Sequence, residues 1–239
     1  MASDKIRELD SSKDCLATNK KILILSTERC GSTWFCEQLG GTALLGDPQE
    51  WLNPLFVSAY RNMHGNVSIG NYIGTIIRKS SSVNGVFSIN IHISDYKSYA
   101  DKGVNLLDIK FDHVIYLYRD NKVAQSVSHA MAAATGKWIS EAKPLRSLSG
   151  SPKRSEIACA LTLLLEQEEY YEQHLRKYVE AEFSYESFTG PNQKNIFPGV
   201  LKLLGEDPEK YIPSKTTMKI QRSSETMELY ESFMQYLSG

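Results

Sequence analysis

The stretch Lys21-Ile22-Leu23-Ile24-Leu25-Ser26 runs straight into the polar loop Thr27-Glu28-Arg29-Cys30-Gly31-Ser32-Thr33, and from Thr33 to Leu39 the pattern turns helical. The apolar run is too short for a helix, rich in branched residues and without polar alternation, which is the pattern of a strand covered on both faces. Strands of that kind belong to parallel sheets with helices on either side. Gly40-Gly41 then closes the helix.

The rest of the chain agrees with an α/β class. Strand patterns cover Gly85 to Ile93, His113 to Tyr118 and Ala181 to Tyr185. Helical patterns cover Asn121 to Thr135, Ile196 to Leu204 and Glu225 to Leu237. Ser151-Pro152 reads as the capped start of a further helix with the apolar stripe Ile157, Leu161, Leu164, Leu165 and Tyr171. Strands alternating with helices favour a parallel sheet. Lys79 to Asn84 and Lys143 to Lys153 read as surface loops. Residues 1–20 are polar and mixed in charge, and are expected as a flexible arm or short helix ahead of one domain over 21–239.

Composition narrows the partners. The chain of 239 residues carries 27 basic and 28 acidic side chains, so no global field attracts nucleic acid or an anionic membrane. No apolar run approaches the roughly 20 residues that span a bilayer, and residues 1–20 have no signal-peptide core. Cys15, Cys30, Cys36 and Cys159 lie far apart with no C-x-x-C pair and no His cluster, which points to neither zinc nor a disulfide framework. A reducing, cytoplasmic location and the absence of a metal are the expectations.

The loop at Thr27 to Thr33 sits where a helix amino end offers unpaired N–H groups and a favourable dipole to an anion. Against the pattern G-x-x-x-x-G-K-[ST], Ser26 replaces the first glycine, Gly31 matches the second, Ser32 replaces the lysine and Thr33 matches the last position. The missing lysine disfavours nucleoside triphosphate chemistry. Arg29 offers a guanidinium fork suited to a single phosphate or sulfate. Alone, the loop reads equally as an ordinary polar turn. A second grip follows the strand His113 to Tyr118, where Arg119 precedes a helix carrying Ser126 and Ser128. Open α/β sheets bind ligands at that edge, although a lone Arg119 reads as a solvated strand end. Together the two grips suit a nucleotide phosphorylated at two separate places.

These residues resemble the sulfotransferases, and within them the bacterial trehalose-sulfotransferase type. Ser26 to Thr33 is similar to that family's 5′-phosphosulfate loop, with Arg29 at its basic position and Ser32 and Thr33 at its small hydroxyl positions. Gly46-Asp47-Pro48-Gln49-Glu50-Trp51 resembles its G-x-P-x-E-aromatic segment, whose glutamate is the family's proposed general base and maps to Glu50. Arg119 to Ser128, with its Q-x-V-S core and Thr135-Gly136-Lys137-Trp138 beyond, resembles the 3′-phosphate segment, whose arginine and serine map to Arg119 and Ser128. Weaker echoes are Glu166 to Glu169, Ser184-Tyr185-Glu186 and Gln221. The resemblance implies a P-loop-like sulfotransferase fold and 3′-phosphoadenosine 5′-phosphosulfate (PAPS) as co-substrate, leaving 3′-phosphoadenosine 5′-phosphate (PAP). A small-molecule hydroxyl acceptor is implied, a sugar being the family-level expectation.

The chain departs from the family at Glu28, where a proline is frequent, at Cys30, and at Asn90, where a lysine is expected. A buried acid would repel a phosphosulfate, so Glu28 is expected to face outward. His92 rivals Glu50 as base, since Asn90-Ile91-His92 keeps the Lys-x-His spacing of cytosolic sulfotransferases without the lysine. Trp51 is expected to desolvate Glu50 and raise its basicity. Trp34, Phe56, Tyr72 and Trp138 are candidates for the acceptor pocket or for plain core, with specificity expected in loops over Leu52 to Ser82 and Trp138 to Arg154. A degenerate P-loop kinase and a non-catalytic nucleotide-binding protein remain alternatives, and a homo-oligomer is left open.

Overall fold

The computed structural model describes residues 2–14, 17–138, 151–191, 193–214 and 223–239. Its centre is a four-stranded, all-parallel sheet in the order β2-β1-β3-β4, built from β1 (Lys20–Ser26), β2 (Val86–His92), β3 (His113–Tyr118) and β4 (Ala181–Ser184). Helices α1 (Ala2–Ser11), α2 (Ser32–Gly40), α3 (Pro54–His64), α4 (Ile69–Ser80), α5 (Ile93–Asp101), α6 (Lys122–Thr135), α7 (Arg154–Tyr170), α8 (Tyr185–Thr189), α9 (Gln193–Leu203) and α10 (Ser224–Ser238) flank it. This is the expected α/β class.

Alternation along the strands divides the interior in two. Leu23, Leu25, Phe87, Ile89, Ile91, Val114 and Tyr116 face one core, and Ile22, Ile24, Val86, Ile115 and Leu117 face the other. The second core is closed by Phe35, Phe188, Phe197, Val200 and Leu204. A smaller cluster joins Val127, Ala130, Ile157, Ala160 and Phe233 between α6, α7 and α10.

The register brings the carboxyl ends of the strands level. Ser26 pairs with His92 on one side and with Leu117 on the other, and Tyr118 pairs with Ser184. Whatever follows each strand therefore emerges at one edge.

Several expectations change. Of the two readings of residues 1–20, the short helix holds as α1, and it is not a flexible arm, since Ile6 (0% exposed) and Leu9 (4%) lie in the larger core. The stretch Leu52 to Ser82, expected as loops, holds α3 and α4. Asn53 caps α3 by accepting from the Leu55 N–H with Pro54 behind it, and Ser68 caps α4 by accepting from the Asn71 N–H. Asn53-Pro54 and Ser68 are sequence marks of two helix starts. Ser151 is not the cap of α7: its hydroxyl donates to Glu225, while the Glu156 carboxylate accepts from the Lys153 N–H. Leu165 leaves the expected stripe, being 49% exposed, and Ala160 takes its turn on the buried face. Cys30 and Cys36 are free and buried, and Cys159 is free and exposed. Most of the expected specificity loop from Trp138 to Arg154 lies outside the described residues, as do Cys15 and Gln221.

Candidate functional site

The loop after β1 is shaped by two left-handed residues. Arg29 has φ 62 and Gly31, the cap of α2, has φ 83. A Cβ on Gly31 would lie 2.7 Å from Tyr185 Cδ2 as well as straining the backbone. The turn is closed from Cys30 N to Thr27 O at 3.4 Å, and the first helical bond runs from Phe35 N to Gly31 O. The N–H groups of Ser32, Thr33 and Trp34 thus have no carbonyl within their own helix, as at any helix start. They are the loop's intrinsic anion donors.

Not every residue of the loop faces a ligand. Ser26 (0% exposed) is engaged beneath it with Asn90 and His92. Thr27 Oγ1 accepts from Gln125 Nε2 at 2.9 Å, and the same amide reaches Glu28 O at 2.6 Å. Cys30 turns its thiol into the core, where burial pushes it up to about 12. What remains for an anion is the Arg29 guanidinium, the backbone of Cys30 to Thr33, and the Ser32 and Thr33 hydroxyls.

Arg29 crosses to the second grip. Its Nε donates to Ser128 Oγ at 3.0 Å and its Nη1 to the carbonyl of Trp138. Burial and the positive charge of Arg119 hold Arg29 below the ordinary arginine range. Arg119, 8% exposed at the end of β3, lies 4.5 Å over the Tyr185 ring, and its Nε is 3.8 Å from Glu186 Oε1. The Glu186 carboxylate also accepts from the N–H groups of Asp120 and Asn121, which fixes the entry to α6. Ser128 is thus in the cluster, whereas Ser126 is fully buried with its hydroxyl on Val123 O. Tyr185, a weak echo in sequence, serves both grips by packing on Gly31 and on Arg119.

The third strand end carries the two candidate bases. His92 (8% exposed) closes β2, and its Nε2 lies 3.2 Å from Glu50 Oε1. Glu50 arrives on a strap pinned along its length. Gly46 (φ 75) passes where a Cβ would meet Ser80 O and Val86 O at 2.7 and 2.8 Å, Asn90 N donates to Gln49 O, and Tyr72 Oη donates to Trp51 O at 2.7 Å. Trp51 is turned into the core with Nε1 donating to Asp47 O, and the expected rise in Glu50 basicity is reversed by other neighbours. Burial pushes the Glu50 carboxyl up, but the charge and hydrogen bond of His92, with Asn53 and Arg29, hold it below the usual range. His92 in turn is raised to about 9: burial opposes its charge and Glu50, Glu28 and Asp95 more than compensate.

Glu28 does not face outward. One oxygen accepts from Ser94 Oγ and the other is buried. Despite burial, the His92 charge and hydrogen bonds from Ser94 and Gln167 hold it low, which gives the inward acid a positive neighbour other than the anion grips. Trp34 and Phe56 pack on core aromatics and Tyr72 is buried, while Trp138 is 43% exposed with its ring edge on His129. Gln125 and Gln167, which tie α6 and α7 to the loop, are missed by sequence reasoning because a buried glutamine has no pattern of its own. Among the described residues no group of three or more His, Cys, Asp or Glu is placed to hold a metal ion, and no helix is long and apolar enough to cross a membrane.

No family model and no curated protein matches the sequence. Among solved structures, the chain is similar to the sulfotransferase domain of the Synechococcus PCC 7002 olefin synthase, at 13% identity and a TM-score of 0.46 over 94% of this chain and 96% of that one. It is also similar to mouse sulfotransferase SULT7A1 complexed with PAP, at 14% and 0.40 over 95% and 68% of the two chains. A third is retinol dehydratase in complex with androsterone and inactive cofactor PAP, at 12% and 0.42 over 90% and 80%.

Proposed function

We propose that the chain is a sulfotransferase that takes a sulfuryl group from PAPS and passes it to a hydroxyl of a small-molecule acceptor. One observation carries the reading: guanidinium groups from the loop after β1 and from the end of β3 share a partly buried space at the amino end of α2, with a carboxylate–imidazole pair at the end of β2 beside them. Two like charges held together out of water raise each other's cost, and an anion bound between them removes it.

The donor set fits a nucleotide carrying two separated anionic groups. Arg29 and the backbone of Cys30 to Thr33 would hold the 5′-phosphosulfate, and Arg119 and Ser128 the 3′-phosphate. When bound, the co-substrate supplies the sulfuryl group and a phosphate able to leave. In-line transfer between two oxygens asks the protein to position groups and to balance charge on the departing phosphate, a task for Arg29 and the α2 amino end. Glu50 Oε2, 3.5 Å from Asn53 Nδ2 and on the far side of the carboxylate from His92, takes the proton of the acceptor hydroxyl. His92 at neutral pH is already protonated, so it acts as the partner of the base.

Calorimetric titration with PAP, with ATP plus magnesium as the rival ligand and Arg119→Ala as the control protein, tests the donor. Binding of PAP that disappears in Arg119→Ala and is not matched by ATP supports it. A preference for ATP with magnesium favours a kinase instead.

A further inference from the structure

Helix α6 holds the loop after β1 from beneath as well as through Ser128. Gln125, three residues before Ser128 and so on the same face of α6, is 0% exposed. Its Nε2 donates to Thr27 Oγ1 at 2.9 Å and to Glu28 O at 2.6 Å. The amide fits only that way round. A carbonyl oxygen has no proton to give, so the reverse orientation would set two carbonyl oxygens 2.6 Å apart. The orientation stands although it leaves Gln125 Oε1 buried without a partner.

The bond to Glu28 O falls at the strained point of the loop. Thr27 to Cys30 form a turn closed from Cys30 N–H to Thr27 O, and of its two central residues only Arg29 has a positive φ, 62. That is the type II arrangement, whose third position ordinarily calls for glycine. The relaxed type I turn differs by a flip of the peptide between Glu28 and Arg29, which would bring Arg29 to a φ of about −90 and carry Glu28 O away from Gln125. An arginine thus occupies a position whose backbone suits glycine, and such strain persists only where the surroundings fix it. We infer that Gln125 is a positioning residue that holds the Glu28–Arg29 peptide in its flipped orientation. The Glu28 carbonyl then points into the interior and the Arg29 N–H the opposite way, so the accessible face of the loop presents no Glu28 carbonyl to an anion. This consequence for ligand binding rests on the sulfotransferase reading; the hold on the turn does not.

Glycine and alanine at position 29 test the hold without any ligand. At a left-handed φ glycine is the more stable of the two, whereas in a relaxed turn alanine is, because it loses less freedom on folding. With Gln125 in place, Arg29→Gly should therefore have a higher urea midpoint than Arg29→Ala. With Gln125→Met added to each, the order should reverse, since the turn is free to flip. The same order in both backgrounds would reduce Gln125 to filling space and overturn the inference. So would an Arg29→Ala midpoint equal to or above that of Arg29→Gly with Gln125 in place, a comparison that survives if the Gln125→Met proteins do not fold. Calorimetry with PAP is the second measurement. Gln125→Met, with Arg29 present, should weaken binding by about tenfold, the upper end for one hydrogen bond between neutral groups. Full affinity would overturn the consequence for the ligand. If the wild type does not bind PAP while the glycine and alanine order reverses, the sulfotransferase reading fails and the hold on the turn stands.

Discussion

Arg29 Nε and Ser128 Oγ, 3.0 Å apart, join the loop after β1 to the helix after β3. The two candidate anion grips are therefore connected by a direct bond. The bond holds a guanidinium fork in one plane, which a lysine with a single rotating ammonium cannot reproduce.

Replacing either partner should weaken PAP binding, and the double variant should not add. Arg29→Lys and Ser128→Ala, measured singly and together by calorimetry, should show a coupling on the order of 0.5–3 kcal/mol, as for residues in direct contact. Additive losses would mean the bond does not serve the ligand.

Removing the carboxylate next to His92 should free its titration. With Glu50→Gln the ring loses the largest of the charges that offset burial, so its NMR titration midpoint should fall below about 9. In a turnover assay, once an acceptor is found, the same variant should lose on the order of 10²–10⁴-fold in rate while still binding PAP. An unmoved midpoint would show that the two side chains do not interact in solution.

The same pair sets a pH dependence of stability. The folded value for His92 is raised above its ordinary 6.5, so its contribution is complete below about pH 6.5 and is lost as the pH rises through about 9. The urea midpoint should decline over that window, and the decline should flatten in His92→Gln. Glu50 acts in the other direction: its lowered value gives a contribution present above the ordinary carboxylate range and lost as the pH falls through the folded value.

Gly31→Ala should destabilise the chain and disturb the loop. A left-handed φ and a Cβ 2.7 Å from Tyr185 together imply a loss of about 1–3 kcal/mol by chemical denaturation. Adding Tyr185→Ala should recover the part owed to the clash and leave the part owed to φ.

Ile6→Ala tests the docking of α1. The side chain is fully buried with Leu9 in the larger core, so the change should cost about 2–4 kcal/mol, whereas an arm outside the core would give a shift near zero.

The parts of the fold that were readable are those where burial dictates composition. β1 and β3 are apolar because both faces are covered, and their carboxyl ends, Ser26 and Tyr118, could be placed to the residue, with β1 starting one residue earlier than expected. α3 and α4 were missed because they lie within the segment expected as specificity loop, although Asn53-Pro54 and Ser68 mark both starts. The position of Arg29, Arg119 and Ser128 at one edge was legible because a parallel sheet brings all its carboxyl ends together. The direction of Glu28 was not, because it depends on His92, Ser94 and Gln167 from three other elements. Nor was the lowering of Glu50, since proximity in sequence to Trp51 said nothing of the imidazole that meets it across the fold.

The order β2-β1-β3-β4 also governs how the protein comes into being. Lys20 pairs with Val86, Ile22 with His113 and Ile115 with Ala181, so each strand pairing must close a long loop before it gains a contact. A sheet of such high contact order folds slowly, and unpaired strand edges stay open to other chains meanwhile. During synthesis the first half of the grip, complete at Thr33, must wait for Arg119 and then for Tyr185. A truncated or stalled chain would carry the loop sequence intact and still lack the Arg119 and Tyr185 side chains that pack beside it.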